Sequence, residues 1–128
     1  METKRALLIE DDPICRDILT DILERSKYRV IALTSPLCFG TLDGEFTCPM
    51  RRPYFDVLIV DINLPVENGL VFLTNTRRQG CKVPGRNIAA ISGGWTREER
   101  ERAQELGIVV LDKPIRVAEV TTWLEACL

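Results

Sequence analysis

Carboxylates stand at two places where a run of aliphatic residues stops. Leu7-Leu8-Ile9 leads directly into Glu10-Asp11-Asp12, and Val57-Leu58-Ile59-Val60 leads into Asp61. Such a run reads as a buried parallel strand that delivers an acid to the rim of a sheet. In open α/β sheets the carboxyl-end rim is where ligands bind. Acids gathered there repel one another unless a cation joins them. Glu10, Asp11 and Asp61 offer hard oxygen ligands that suit Mg²⁺, with Mn²⁺ as the alternative ion. The backbone carbonyl of Asn63 supplies a further oxygen. A cation there would neutralise the cluster and polarise an incoming phosphoryl group. Asp61 could then act as a carboxylate nucleophile and form an acyl phosphate. Lys113, after the aliphatic run Ile108–Leu111, is a point charge fit to pair with phosphate oxygens. Ser92, after Ile88–Ile91, can donate a hydrogen bond to another.

These residues converge only if their strands lie parallel in one sheet. Strand and helix signals alternate along the chain. Strands are expected at about Arg5–Glu10, Arg29–Leu33, Asp56–Asp61, Asn87–Ser92 and Ile108–Leu111. Asp12 as N-cap and Pro13 as first helical residue start a helix. Its apolar stripe is expected to be Ile14, Ile18 and Ile22 with Leu19 and Leu23. A helix through about Arg78 follows the loop Ile62–Gly69. Thr96 and Glu99 form a capping box for a charged helix ending at Gly107. The last helix, about Val117–Cys127, has Val117, Val120, Leu124 and Cys127 on one side. A short helix is expected near Pro36–Leu42, and glycines and prolines break up the stretch from Ser35 to Phe55. Five strands alternating with five helical segments predict an α/β fold, a flavodoxin-like doubly wound (βα)5 sandwich with a parallel five-stranded sheet of order 2-1-3-4-5.

A length of 128 residues fits one domain, residues 1–128. The net charge of −2 argues against a nucleic-acid surface. No apolar run approaches the roughly 20 residues that span a bilayer, and the N-terminal apolar run is too short for a signal peptide. Cys15, Cys38, Cys48, Cys81 and Cys127 are odd in number and irregularly spaced, which reads as reduced thiols in the cytoplasm. The chain has no histidine, which excludes histidine nucleophiles, bases and metal ligands.

Taken together, Glu10-Asp11, Asp61 with Pro65 and Gly69, Ser92, and Lys113-Pro114 resemble the motifs of a response-regulator receiver domain of two-component signalling. The resemblance covers essentially the whole chain. Each motif alone is weak, while all four in order are specific. The resemblance implies that Asp61 accepts a phosphoryl group from a phosphohistidine on a sensor histidine kinase or histidine phosphotransfer protein. It implies Mg²⁺ held by Glu10, Asp11, Asp61 and the Asn63 carbonyl, Lys113 paired with the phosphoryl group, and Ser92 moving toward it. It also implies a stand-alone cytoplasmic switch acting on a downstream protein target, rather than a turnover enzyme or a membrane or nucleic-acid binder. Lack of histidine fits this, because the phosphohistidine belongs to the partner.

Two features depart from the family pattern. Val110 stands three residues before the lysine, where many receivers carry Tyr or Phe, and Ser92 is followed by Gly93-Gly94. The stretch between Asp11 and Asp61 is also longer than usual, with the excess within Thr34–Phe55.

Rival functions fare worse. A phosphohydrolase of the haloacid-dehalogenase kind would place D-x-D after strand one, where Glu10-Asp11-Asp12-Pro13 stands. A nucleotide or flavin carrier would need a phosphate-cradling loop there, and neither G-x-G-x-x-G nor a P-loop occurs. No cysteine has an arginine six residues later, as a Cys-phosphatase would require. The remaining alternative is a phosphorylation-independent receiver-like module, which Val110 and the double glycine keep in play.

Overall fold

A computed structural model describes residues 3–35, 54–65 and 67–127. The expected helix near Pro36–Leu42 and most of the long Thr34–Phe55 stretch lie outside them. Five parallel strands form one sheet in the order β2-β1-β3-β4-β5. They are β1 (Lys4–Ile9), β2 (Tyr28–Leu33), β3 (Val57–Asp61), β4 (Ile88–Ser92) and β5 (Val109–Asp112). Four helices are described: α1 (Pro13–Arg25), α2 (Gly69–Arg78), α3 (Arg97–Leu106) and α4 (Val117–Ala126). The chain has the doubly wound, flavodoxin-like arrangement.

Side chains alternate across each strand, so each central strand feeds two cores. Ala6 and Leu8 of β1, with Val57 and Ile59 of β3, pack under Leu19 and Leu23 of α1 and Val120 and Leu124 of α4. Leu7, Ile9, Leu58 and Val60 face the other way, toward Leu70, Phe72 and Leu73 of α2 and Ala103 of α3. Helices cover both faces, so β3 and β4 are buried along their whole length. This is why they read as continuous aliphatic runs rather than alternating ones.

Helix ends follow local chemistry. Asp12 Oδ1 accepts the Ile14 amide at 3.0 Å, and Pro13 needs no amide partner at the first turn. Thr96 and Glu99 form the reciprocal capping box at the start of α3. Gly107 closes that helix in the left-handed conformation, φ 70°.

The expected stripe of α1 needs correction. Its buried face is Cys15, Leu19, Ile22 and Leu23, while Ile14 is 71% exposed and Ile18 41%. Residues four apart advance about 400° around a helix, so a strict i, i+4, i+8 series drifts off any one face. In α4 the inward face is Val120, Trp123 and Leu124, and Val117 is exposed. Trp123 is held inward because its Nε1 donates to the Arg86 carbonyl at 2.8 Å.

Gly69 fixes how α2 meets the end of β3. Its amide donates to the Ile62 carbonyl at 3.0 Å. A Cβ there would fall on the Asp61 carbonyl oxygen and lie 2.8 Å from Ile62 Cα. Backbone atoms yield little, so Gly69→Ala is expected to lower unfolding free energy by about 1–3 kcal/mol. Gly94→Ala, whose Cβ would meet nothing within 4 Å, is expected to change it much less. Urea unfolding of the two variants beside the parent checks the contrast.

Candidate functional site: an acidic pocket at the sheet rim

Sheet register assembles the site. Ile9 pairs with Val60, so Glu10 and Asp61 leave the sheet side by side. Asp61 pairs with Ile91 across β3 and β4, which sets Ser92 one step beyond Asp61 on the neighbouring strand. Ser92 pairs with Asp112, and the Lys113 amide donates to the Ser92 carbonyl at 2.9 Å. Residues far apart in the chain therefore end within one small volume.

Lys113 is the cation of this pocket. Its Nζ lies 2.9 Å from Asp61 Oδ2 and 3.3 Å from Glu10 Oε1. Burial disfavours its charge, but the hydrogen bonds to Asp61 and Glu10 outweigh burial and raise its pKa above that of an ordinary lysine. Asp61 is buried, and its Oδ1 accepts the Asn63 amide at 2.9 Å. Glu10 is fully buried. Its Oε1 also accepts the Asp12 amide at 3.0 Å. Its Oε2 lies 3.1 Å from Lys113 Nζ without hydrogen-bond alignment, and accepts no hydrogen bond. Desolvation first, then the adjoining Asp61 carboxyl, push the Glu10 pKa up to about 7.

Glu10, Asp11 and Asp61 each present a carboxylate oxygen within 4.8 Å of the others. Asp11 is exposed, while Glu10 and Asp61 are buried. A buried carboxylate oxygen that accepts no hydrogen bond, beside two more carboxylates, is a donor set that suits a hard divalent cation. Lys113 alone does not balance three acids.

The expected site residues Glu10, Asp11, Asp61, Asn63, Ser92 and Lys113 thus come together. Asp12 caps α1, as expected, instead of joining them. Three contacts were not foreseen. Arg16 Nη1 donates to the Glu10 and Asp11 carbonyls at 3.0 and 3.3 Å, clamping the β1–α1 loop from the first turns of α1. The only hint in sequence is an arginine one helical turn past the Asp12 cap. Asn63 reaches Ser92 with its side chain: Nδ2 donates to Oγ at 3.0 Å. Trp95 Nε1 donates to the Leu111 carbonyl at 2.9 Å, fastening the loop after β4 onto β5. Beside it, Arg100 lies 5.9 Å from the indole centroid and pairs with Asp112 at 3.4 Å. The charged face of α3 is solvated, with local pairs such as Arg97–Glu101. Cys15, buried under Glu10, has its thiol pushed up to about 12 by burial and then by the Glu10 charge, so it packs and does not react.

Among the described residues, no helix is long and apolar enough to cross a membrane. A family model described as the response regulator receiver domain matches residues 6–125. The alkaline phosphatase synthesis transcriptional regulatory protein SphR of Synechococcus elongatus is 30% identical over 129 residues, spanning 97% of this chain and 48% of that protein. The chain therefore spans about half of that curated relative. The non-phosphorylated HemR receiver domain of Leptospira biflexa superposes with a TM-score of 0.78 at 27% identity, over 97% of this chain and 93% of that one. The receiver domain of the Pseudomonas aeruginosa sensor histidine kinase PA1611, which has a magnesium ion in its active-site cleft, matches at a TM-score of 0.73 and 23% identity, over 98% and 97% of the two chains. With acids, serine and lysine gathered on the rim of this sheet and the family matched from Ala6 to Glu125, the chain belongs to the response-regulator receiver domains of two-component signalling.

Proposed function

We propose that this chain is a phosphoacceptor switch in which Asp61 takes a phosphoryl group from a phosphohistidine on a sensor kinase or histidine phosphotransfer protein. One observation carries this reading. Asp61 is a buried carboxylate bonded to Lys113, with one of its oxygens within 4.8 Å of carboxylate oxygens of Glu10 and Asp11. A structural aspartate at a strand end needs neither the lysine nor the other acids.

Glu10, Asp11, Asp61 and the Asn63 carbonyl would hold Mg²⁺, and Mn²⁺ suits the same oxygens. When bound, the ion neutralises the acids and polarises phosphoryl oxygens. An Asp61 carboxylate oxygen attacks phosphorus. The new O–P bond forms as the N–P bond of the phosphohistidine breaks, and the imidazole leaves. Lys113, already beside Asp61, moves its pairing to a phosphoryl oxygen. Ser92 donates its hydroxyl to another. Water later attacks phosphorus, the bond from the Asp61 oxygen to phosphorus breaks, and the Asp61 carboxylate is regenerated as inorganic phosphate leaves. Gly94 has no side chain to obstruct such a water, and a Cβ there would meet nothing within 4 Å.

The signal leaves through the loop after β4. The Gly94 amide donates to Ser92 Oγ at 3.0 Å, so moving the hydroxyl pulls this loop and with it Trp95. Val110 on β5 packs in the same apolar cluster as Trp95 and has no hydroxyl or ring edge to relay a hydrogen bond. Trp95, with its indole on the Leu111 carbonyl, takes over the readout. A downstream protein would meet the surface around α3, β5 and α4.

Intact mass after incubation with a small phosphodonor and Mg²⁺ is expected to show one added phosphoryl group, absent in Asp61→Ala and without metal. If the unmodified chain binds its target and Asp61→Asn leaves that binding unchanged, the phosphorylation-independent module is the correct reading instead.

Proton and cation compete for Glu10. Its folded pKa of about 7 lies above the ordinary 4.5. Without metal, the stability it contributes is full below the ordinary value and is lost as pH rises through about 7. Mg²⁺ affinity should run the other way, rising about tenfold between roughly pH 6 and pH 8 as Glu10 ionises. Glu10→Gln is expected to flatten both profiles, read by thermal melting and Mg²⁺ titration.

With Trp123→Phe removing the second indole, beryllofluoride and Mg²⁺ are expected to shift Trp95 emission and raise its quenching by acrylamide. Ser92→Ala is expected to suppress that change.

A further inference from the structure

We propose that the Asn63 side chain is a positioning residue for Ser92, an inference that rests on Asp61 being the phosphoacceptor. Asn63 touches both partners of the reaction. Its backbone amide donates to Asp61 Oδ1 at 2.9 Å, and its side-chain Nδ2 donates to Ser92 Oγ at 3.0 Å. The Gly94 amide donates to the same oxygen, also at 3.0 Å.

A serine hydroxyl has two acceptor lone pairs and one donor hydrogen, and the hydrogen normally turns to suit its surroundings. Here the oxygen carries its bond to Cβ and accepts two hydrogen bonds. Three of its four tetrahedral directions are occupied. The fourth belongs to its own hydrogen, so the direction in which Ser92 donates is set before any phosphoryl group arrives. Ser92 is fully buried, so water does not compete for these positions. A donor whose hydrogen is oriented in advance has less left to reorganise when the hydroxyl is drawn toward developing charge. Two accepted bonds also polarise the oxygen and strengthen the bond it donates.

Asparagine suits this task for a stated reason. Its amide NH₂ donates without adding charge beside Glu10, Asp11 and Asp61. An aspartate there would accept the Ser92 hydrogen and occupy it, and an aliphatic residue would leave the hydroxyl free to rotate. Gly94 contributes through its backbone, so Asn63 is the side chain on which the orientation depends. The bond links the loop that carries the nucleophile to the end of β4, separated by 29 residues in sequence.

A double-mutant cycle tests this, with beryllofluoride in the presence of Mg²⁺ as the phosphoryl mimic and fluorine NMR as the readout. Asn63→Ala is expected to weaken beryllofluoride binding about five-fold, the size of one net hydrogen bond. In the Ser92→Ala background the same change is expected to cost nothing further. In Ser92→Thr, which keeps the hydroxyl, the cost should return. In metal-free protein the Asn63 side-chain amide resonances should shift in Ser92→Ala and keep their positions in Ser92→Thr. Asn63→Ser, which also loses the amide donor, repeats the cycle should the alanine variant fold poorly. An Asn63→Ala effect that is absent, or of equal size with and without the Ser92 hydroxyl, overturns the inference while beryllofluoride binding by the parent upholds the phosphoacceptor reading. If the parent fails to bind beryllofluoride with Mg²⁺, that reading fails and this inference goes with it.

Discussion

Lys113 is the tie on which the rim of this sheet depends. It stands at the end of β5 and reaches across β4 to Asp61 and Glu10, at the ends of β3 and β1. Without that ammonium, two buried carboxylates would face each other in a medium far less polar than water, at a cost of several kcal/mol per ion. One cation against two buried anions still leaves an imbalance, and exposed Asp11 adds to it. The imbalance is visible in Glu10, whose carboxyl holds its proton up to about pH 7. Lys113 offsets part of this negative charge, and the pocket's remaining attraction is for positive charge.

Charge alone would not make a switch. The pocket is coupled to the surface by short, specific bonds that run through Ser92. Its hydroxyl takes the Asn63 amide on one side and the Gly94 amide on the other, and its carbonyl takes the Lys113 amide. A change at Asp61 would therefore reach the loop after β3, the loop carrying Trp95 and the end of β5. Trp95 sits where this motion would be felt, half-buried, with its indole on a β5 carbonyl and Arg100 beside its ring. Such bonds are individually worth about 1 kcal/mol, so a group bound at Asp61 would redistribute them without unfolding the frame. The frame itself, two apolar layers on a sheet whose strands β3 and β4 are buried throughout, would hold the rim still while the loops move.

The limits of pattern reading are equally physical. Strands β3 and β4 were legible because burial on both faces leaves an unbroken aliphatic run ending at a polar residue. Helix starts were legible because Asp12 and Thr96 satisfy amides within three residues of themselves. The inward face of α1 was legible only in part: Leu19, Ile22 and Leu23 are buried as expected, and Ile14 and Ile18 are not. Ile14 and Ile18 match Ile22 in type, yet Cys15, Leu19 and Leu23 point at the sheet. Composition cannot distinguish an isoleucine that packs from one that faces solvent when both satisfy a four-residue spacing. Val117 and Trp123 exchanged places in α4 for a related reason: a distant carbonyl, that of Arg86, decides where the indole goes.

The sequence by itself determined the alternation of strands and helices, the parallel sheet that follows from it, and the identity of the acids, serine and lysine at the strand ends. These are local facts, since each depends on residues that neighbour one another along the chain. Only the tertiary structure decided that Asn63 reaches Ser92, that Arg16 clamps the loop of Glu10 and Asp11, and that Trp95 fastens to Leu111. Asn63–Ser92 and Trp95–Leu111 join separate strand ends, and Arg16 reaches from its helix back over the loop that precedes it. Their partners are backbone carbonyls or a single hydroxyl, groups that leave no mark in composition or periodicity. Asn63–Ser92 and Trp95–Leu111 exist because the register of β3, β4 and β5 brings those atoms within 3.0 Å, and register is a property of the assembled sheet, while the Arg16 contact follows from how α1 folds back on the loop before it.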